Sequence, residues 1–176
     1  MAVLIEGISV IVRNDSIFSK YYGGNAGFLK SVNKMVWISD SELVCVHFMT
    51  PTDAKKYVDV LIENGLEFKD EDNNAIDITI VDQLKGKLTK SNWIFCGYTN
   101  WDGNSDQRIM VCQLLNSSLD EILVPNNWKY EVSLTKQALF FRPDDMKKSL
   151  RFLKTENNID VFIDTETGKE YFVRRE

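Results

Sequence analysis

The stretch ELVCVHFMTPTDAKKYVDVLIENGL, residues 42–66, decides the fold, because it predicts a buried strand followed directly by an amphipathic helix. Its first half, Leu43–Met49, is an apolar run of strand length that contains the chain's single histidine. Three residues provide the helix start, namely a cap, a first-turn proline and an acidic side chain at the positive dipole end: Thr50, Pro51 and Asp53. Gly65 is a typical helix stop. Apolar residues at helical spacing must then pack on a sheet: Ala54, Tyr57, Val58, Leu61 and Ile62.

The segments on either side of this stretch predict more strands than helices. Val3–Val12 alternates as a strand and places Glu6 with its apolar set, and Met35–Ile38 precedes a Ser-Asp-Ser turn that predicts a hairpin. Further strands are predicted at Trp93–Tyr98 and Arg108–Leu115, which the loop Thr99–Gln107 joins as a hairpin, and at Val161–Asp164 and Tyr171–Arg174, which form a hairpin around Gly168. Additional helices are predicted before Gly23-Gly24, at Leu134–Phe141 and from Pro143 onward, while Gly23–Gly27 is interpreted as a flexible turn.

These elements favour an α+β fold: an antiparallel or mixed β-sheet packed by two to four helices in a single compact domain, residues 1–176. Strands and helices do not alternate strictly, which argues against a doubly wound parallel sheet. At 44% apolar residues, the chain can bury a sizeable core without a metal or disulfide.

Charge and cysteine content limit the partners and the compartment. A net charge of −5 makes duplex nucleic acid an unlikely partner. Met1–Val12 lacks the basic start and cleavage site of a signal peptide and is too short to span a bilayer. Cys45, Cys96 and Cys112 lie in strand-like segments and are interpreted as reduced core thiols, so we expect a cytoplasmic, acidic protein that needs no cofactor and no membrane.

Glu6 and His47 are the candidate catalytic residues, because both sit in apolar strand segments where a charged group needs a partner. If the strands were adjacent, the carboxylate could orient the imidazole as a general base, with Asp77 or Asp82 nearby. The alternative is that His47 is a satisfied packing residue. Cys45 and His47 could be half of a zinc site, but the sequence offers no evident further ligands, so no metal is expected.

Exposed acidic and aromatic loops are the candidate binding surface. Trp101, Asp102 and Asp106 lie in the loop Thr99–Gln107, where tryptophan could supply contact area or fold back over the sheet. Asp70, Glu71 and Asp72 form an acidic hairpin tip that lacks the glycine and final acid of a calcium loop. Four basic residues of the last predicted helix could bind an anion or simply complement the helix dipole: Lys147, Lys148, Arg151 and Lys154.

Four segments resemble a small family of uncharacterised bacterial proteins: MAVLIEGISVIVR, GGNAGF, the stretch 42–66 and IVDQ. The resemblance covers the first half of the chain and rests on a strand and a capped helix. It therefore implies a bacterial protein but no activity and no site residue.

The sequence thus predicts a non-enzymatic, cytoplasmic protein-binding module, similar in manner to small acidic inhibitors or immunity proteins. Acidic loops suit electrostatically steered recognition of a basic protein. The alternative is a small enzyme, such as a hydrolase, that uses Glu6 and His47. No nucleophile elbow or cofactor loop is visible in support of that alternative.

Overall fold

A computed structural model of the chain describes residues 1–117, 120–134, 150–156, 159–164 and 170–174. Its internal contacts define two compact units, Met1–Lys129 and Tyr130–Glu176. The α+β fold class is confirmed, since helices and antiparallel or mixed sheets build the described residues. That all 176 residues form one domain stays a prediction.

A five-stranded antiparallel sheet forms the centre of the first unit. Its strands are β2 (Ile8–Arg13), β3 (Val36–Ser39), β4 (Leu43–Phe48), β5 (Ile78–Asp82) and β6 (Gly86–Lys87), in the order β3-β4-β2-β5-β6. The hairpin predicted around Ser39–Ser41 is confirmed, with Val36 opposite His47 and Ser39 opposite Val44.

Helices cover one face of this sheet: α1 (Asn14–Lys20), α2 (Gly24–Val32) and α3 (Pro51–Glu63). The predicted start of α3 is confirmed, because the Asp53 N–H donates to Thr50 Oγ1 at 3.2 Å. One continuous core joins the helices to the even-numbered side of β2, through Val10 and Val12. Burying such side chains stabilises the layer by roughly 1.5–3 kcal/mol each.

The first strand predicted from the sequence is in fact two strands in different sheets. β1 (Ala2–Ile5) belongs to a second, mixed sheet of order β7-β8-β1-β9, while β2 belongs to the five-stranded sheet. The partners of β1 there are β7 (Ile94–Asn100), β8 (Arg108–Leu114) and, in parallel, β9 (Ile122–Leu123). Gly7, with φ +57°, redirects the chain between the sheets, so the prediction that Glu6 lies in mid-strand is wrong.

The Gly-rich segment after α1 is the start of a helix, not a flexible turn. Gly23 adopts φ +77° and caps α2, which begins at Gly24. A Cβ on Gly27 would lie 2.3 Å from the carbonyl oxygen of Tyr22, so only glycine fits the close approach of the two chain segments. The interpretation as a turn failed because glycine there serves packing.

The described part of the second unit is a three-stranded antiparallel sheet: β10 (Leu150–Glu156), β11 (Ile159–Asp164) and β12 (Glu170–Arg174). The predicted C-terminal hairpin is therefore confirmed by the pairing of β11 with β12. The helix predicted from Pro143 is wrong from Leu150 onward, because β10 pairs with β11 there. Residues 135–149, which include most of the helix predicted at Leu134–Phe141, lie outside the described residues.

Two of the three cysteines form a disulfide. Cys96 and Cys112 are directly opposite on β7 and β8, with Cα atoms 4.2 Å apart, and their sulfurs are bonded. Only Cys45 is free and buried among the described residues. The prediction of three reduced thiols is wrong for the other two, because strand register brings together residues 16 positions apart.

Among the described residues, no helix combines the length and the apolar character that crossing a bilayer would require.

Candidate functional site

The buried polar groups of the first unit gather where the chain passes from β1 to β2. We call this cluster the polar corner and define it by Glu6, Ser9, His47 and Gln83. Glu6, Ser9 and Gln83 are all buried polar residues. Gln83 holds the bend through two hydrogen bonds to Gly7. Its side-chain Oε1 accepts from the Gly7 N–H at 2.8 Å, and its backbone N–H donates to the Gly7 carbonyl at 2.8 Å.

The two ring nitrogens of His47 have different surroundings. Nδ1 lies 3.0 Å from Ser9 Oγ, which donates to the Glu6 backbone carbonyl at 3.2 Å, and 3.9 Å from Cys45 Sγ. Nε2 is buried with no hydrogen-bond partner among the described residues.

Burial keeps the groups on this face of the sheet neutral. Desolvation lowers the pKa of His47 from 6.5 to about 4, although the backbone carbonyl of Glu6 acts in the opposite direction. Desolvation likewise raises the pKa of the neighbouring Cys45 thiol to about 12. At neutral pH the imidazole of the corner is therefore neutral, and the Cys45 thiol beside it is protonated.

The Glu6 carboxylate contacts a tryptophan. Trp128 Nε1 donates to Glu6 Oε1 at 3.0 Å, and the Trp128 ring packs edge-to-face on Trp101 with centroids 4.8 Å apart. Trp101 is thus half-buried and packs against a second indole.

The structure brings Glu6 and His47 to the same corner without the carboxylate–imidazole contact that the sequence left open. Nε2 has no partner among the described residues, and Nδ1 contacts Ser9. Ser9 is fully buried, and its hydroxyl donates to a backbone carbonyl. The corner lies at the junction of the two sheets, between β1 and β2.

The other carboxylates proposed near His47 have different roles. Asp77 accepts from Ser16 Oγ at 2.7 Å, the Glu67 N–H at 2.8 Å and Lys20 Nζ at 3.0 Å. Burial alone would raise the pKa of Asp77, but these bonds outweigh it and hold the pKa below its ordinary value. Asp82 caps a turn by accepting from the backbone N–H groups of Leu84 and Lys85.

The acidic hairpin tip is a preformed turn. Asp70 Oδ1 accepts from the backbone N–H groups of Asp72 at 2.9 Å and Asn74 at 2.8 Å. The Asn74 side-chain amide also donates to Asp70 and holds the pKa of that carboxyl below its ordinary value. Glu71 and Asp72 are exposed and form no ion pair with any residue that the structure describes.

The second acidic loop, between β7 and β8, also contains a tight turn. Trp101–Gly103 forms a 3₁₀ turn in which Asp102 adopts φ +50°. Asp102 and Asp106 are exposed. This loop therefore offers two carboxylates beside a half-buried tryptophan, in place of the exposed tryptophan anchor that the sequence allowed.

Of the four basic residues predicted to gather on the last helix, two lie on a strand and two lie outside the described residues. Arg151 and Lys154 are exposed on β10, where a register shift after Phe152 sets them opposite Ile163 and Val161. Because alternate residues of β11 face the same side, the shift puts the two cations on one face. Lys147 and Lys148 lie outside the described residues.

An apolar groove of about 300 Å³ runs between α3 and the β6 edge of the five-stranded sheet. Val58 of α3 lies at its base with Phe68 and Ile80, while Ile62 of α3 and Leu88 form its two exposed lips. The sequence predicted Ile62 to be buried against the sheet, but its side chain is 44% exposed. The helical pattern identified the apolar face correctly, but it could not show that the sheet ends before covering that face.

Sequence reasoning missed two residues of the polar corner, Ser9 and Gln83, and also Trp128, which contacts Glu6. The available signal was Gly7, since a glycine inside a strand pattern often marks a bend. Among the described residues, no three His, Cys, Asp or Glu side chains are grouped so that they could hold a metal ion. No protein-family model, curated protein or solved structure matches the chain.

Proposed function

We propose that the protein is a non-enzymatic protein-binding module whose acidic loops recognise a basic surface of another protein, in the manner of small acidic inhibitors or immunity proteins. The observation that carries this proposal is the acidic tip, where Asp70 is used as an internal acceptor and leaves Glu71 and Asp72 exposed and unpaired among the described residues.

A preformed tip favours binding because less backbone order has to be imposed when the partner arrives. The turn is fixed by three backbone or amide donors to one carboxylate. Its two free carboxylates project charge from a protein whose net charge is already −5. Both features favour fast, salt-dependent association with a basic partner.

The polar corner supports the same proposal, because His47 Nε2 is buried inside it. A neutral imidazole whose Nε2 is buried cannot reach a substrate proton without local opening. The hydrolase that the sequence left as an alternative therefore has less support than a binding role.

The test uses the wild type and two variants as bait to recover binding partners from cells that express the protein. Each variant has two carboxylates replaced by neutral amides. Glu71→Gln/Asp72→Asn removes the tip charges and keeps Asp70, whereas Glu63→Gln/Glu121→Gln removes two exposed charges elsewhere. We expect the wild type and the second variant to retain one stoichiometric protein partner, and the tip variant to bind it at least about tenfold more slowly at low salt.

Two results would reject the proposal. One is that no stoichiometric protein is recovered with the wild type at low salt. The other is that both variants associate with the recovered partner at the same rate, which would exclude the tip as the recognition element.

The location is a separate part of the proposal. We propose that the protein is cytoplasmic. Reducing compartments keep cysteines as thiols, so Cys96 and Cys112, whose sulfurs are bonded in the structure, would be reduced there and the bond would form only on oxidation. The test is to unfold the protein without reductant, alkylate its cysteines and measure the mass. A protein that resides in the cytoplasm should be labelled at all 3 cysteines. Labelling of Cys45 alone after unfolding would place the protein in an oxidising compartment instead.

A further inference from the structure

The groove along α3 is an apolar surface that the first unit does not cover itself. Val58 at its base is only 3% exposed, whereas Ile62 and Leu88 at its two lips are 44% and 48% exposed. Lips of this kind stay in contact with water unless another surface packs between them. An apolar patch with a polar rim is typical of a protein–protein interface.

The charges that line the groove indicate which surface fits it. Lys55 and Asp59 both line it and lie one helical turn apart on α3. Both are exposed, and neither forms an ion pair with a residue in the described part of the chain. A partner of one charge sign would leave one of the two facing a like charge or no charge at all.

A second copy of the chain satisfies both charges at once. A two-fold interface repeats the same surface on both sides, so each residue meets its mirror position in the partner. When two copies of α3 run antiparallel about an axis near position 57, Lys55 faces Asp59 of the second copy, and the reverse pair forms equally. The same register brings Ile62 to the level of Thr52 of the second copy, the residue next to Pro51, which also lines the groove.

We infer that this groove is a homodimer interface, in which α3 of one copy packs antiparallel against α3 of the other. Each Ile62 lip then enters the neighbouring groove, and two reciprocal Lys55–Asp59 pairs fix the register. This surface is distinct from the acidic loops, so the inference stands independently of the proposed function.

Sedimentation velocity over a range of protein concentrations tests the inference, with the full chain and a matched pair of variants. Ile62→Glu places a charge at the lip. Val60→Glu makes the same change on the same helix at a position that is 38% exposed and does not line the groove. We expect a wild-type dimer, a dissociation constant raised at least about a hundredfold by Ile62→Glu, and a change within about twofold for Val60→Glu.

Charge reversal tests the register separately from the apolar contact. Lys55→Asp and Asp59→Lys should each weaken the dimer by about tenfold, because each creates like-charge pairs across the axis. Combining the two substitutions should restore the wild-type dissociation constant within about threefold, since the reciprocal pairs form again with reversed signs.

Three outcomes would overturn the inference: a wild-type protein that remains monomeric at about 1 mM, equal weakening by Ile62→Glu and Val60→Glu, or no recovery in the double charge reversal. Circular dichroism and thermal unfolding of each variant at low concentration confirm that the monomer is folded. A groove occupied by a different protein would give the first of these outcomes.

Discussion

Acidification from pH 7 to pH 5 should weaken the fold through one residue, His47. Burial lowers its pKa from 6.5 to about 4 in the folded chain, whereas the unfolded chain keeps the ordinary value. Between these two values the unfolded state binds a proton that the folded state does not bind. The stabilising contribution is therefore complete above pH 6.5 and is lost as the pH falls toward 4.

The size of the effect follows from the two pKa values. Each unit of difference corresponds to about 1.4 kcal/mol, so the full loss approaches about 3 kcal/mol below pH 4. Between pH 7 and pH 5 the loss should be about 2 kcal/mol. The chain has 1 histidine, so no other side chain of ordinary pKa titrates in that interval.

Urea unfolding followed by tryptophan fluorescence measures this loss at pH 7 and pH 5, at one protein concentration. His47→Gln provides the control, because a glutamine amide can still hydrogen-bond to Ser9 Oγ but does not titrate. The wild type should lose about 2 kcal/mol more than the variant between the two pH values. Equal losses in both proteins, or a wild type that is more stable at pH 5, would show that the imidazole is not held neutral by burial.

Three further changes test the fold, each measured by denaturant unfolding. Asp77→Ala should cost about 3 kcal/mol, because it leaves buried donors without their acceptor; a loss below about 1 kcal/mol would contradict this role. Gly27→Ala should cost at least about 1–3 kcal/mol, since the new Cβ meets the Tyr22 carbonyl, and an unchanged midpoint would disprove the close approach. Thr50→Ala should cost about 1 kcal/mol by removing the α3 cap, whereas its control Thr52→Ala should stay within about 0.5 kcal/mol, and equal losses would reject the cap.

Local signals were sufficient for much of the secondary structure. Thr50 and Pro51 predicted the start of α3 correctly, because capping and dihedral preferences act within a few residues. The hairpin of β3 and β4 and the pairing of β7 with β8 followed from apolar runs separated by turn residues. The α+β class then followed from the order of these elements.

The candidate site could not be assembled in the same way, because its contacts join residues far apart in the chain. The Glu6 carboxylate contacts Trp128, which is 122 positions away, and Gln83 holds the bend at Gly7 from a distance of 76 positions. Nothing near Gly7 in the sequence indicates which sheet each half of the strand joins. Glu6 was therefore placed in mid-strand, and its relation to His47 stayed open.

The order of apolar and polar residues by itself determined where α3 begins, which of its faces is apolar and which segments form strands, because these preferences arise from neighbouring residues. Only the tertiary structure decided that Cys96 lies opposite Cys112, that His47 contacts Ser9, and that no described part of the chain covers the groove beside Ile62. Those outcomes depend on strand register and on where a sheet ends, and both are set by the packing of segments distant in sequence.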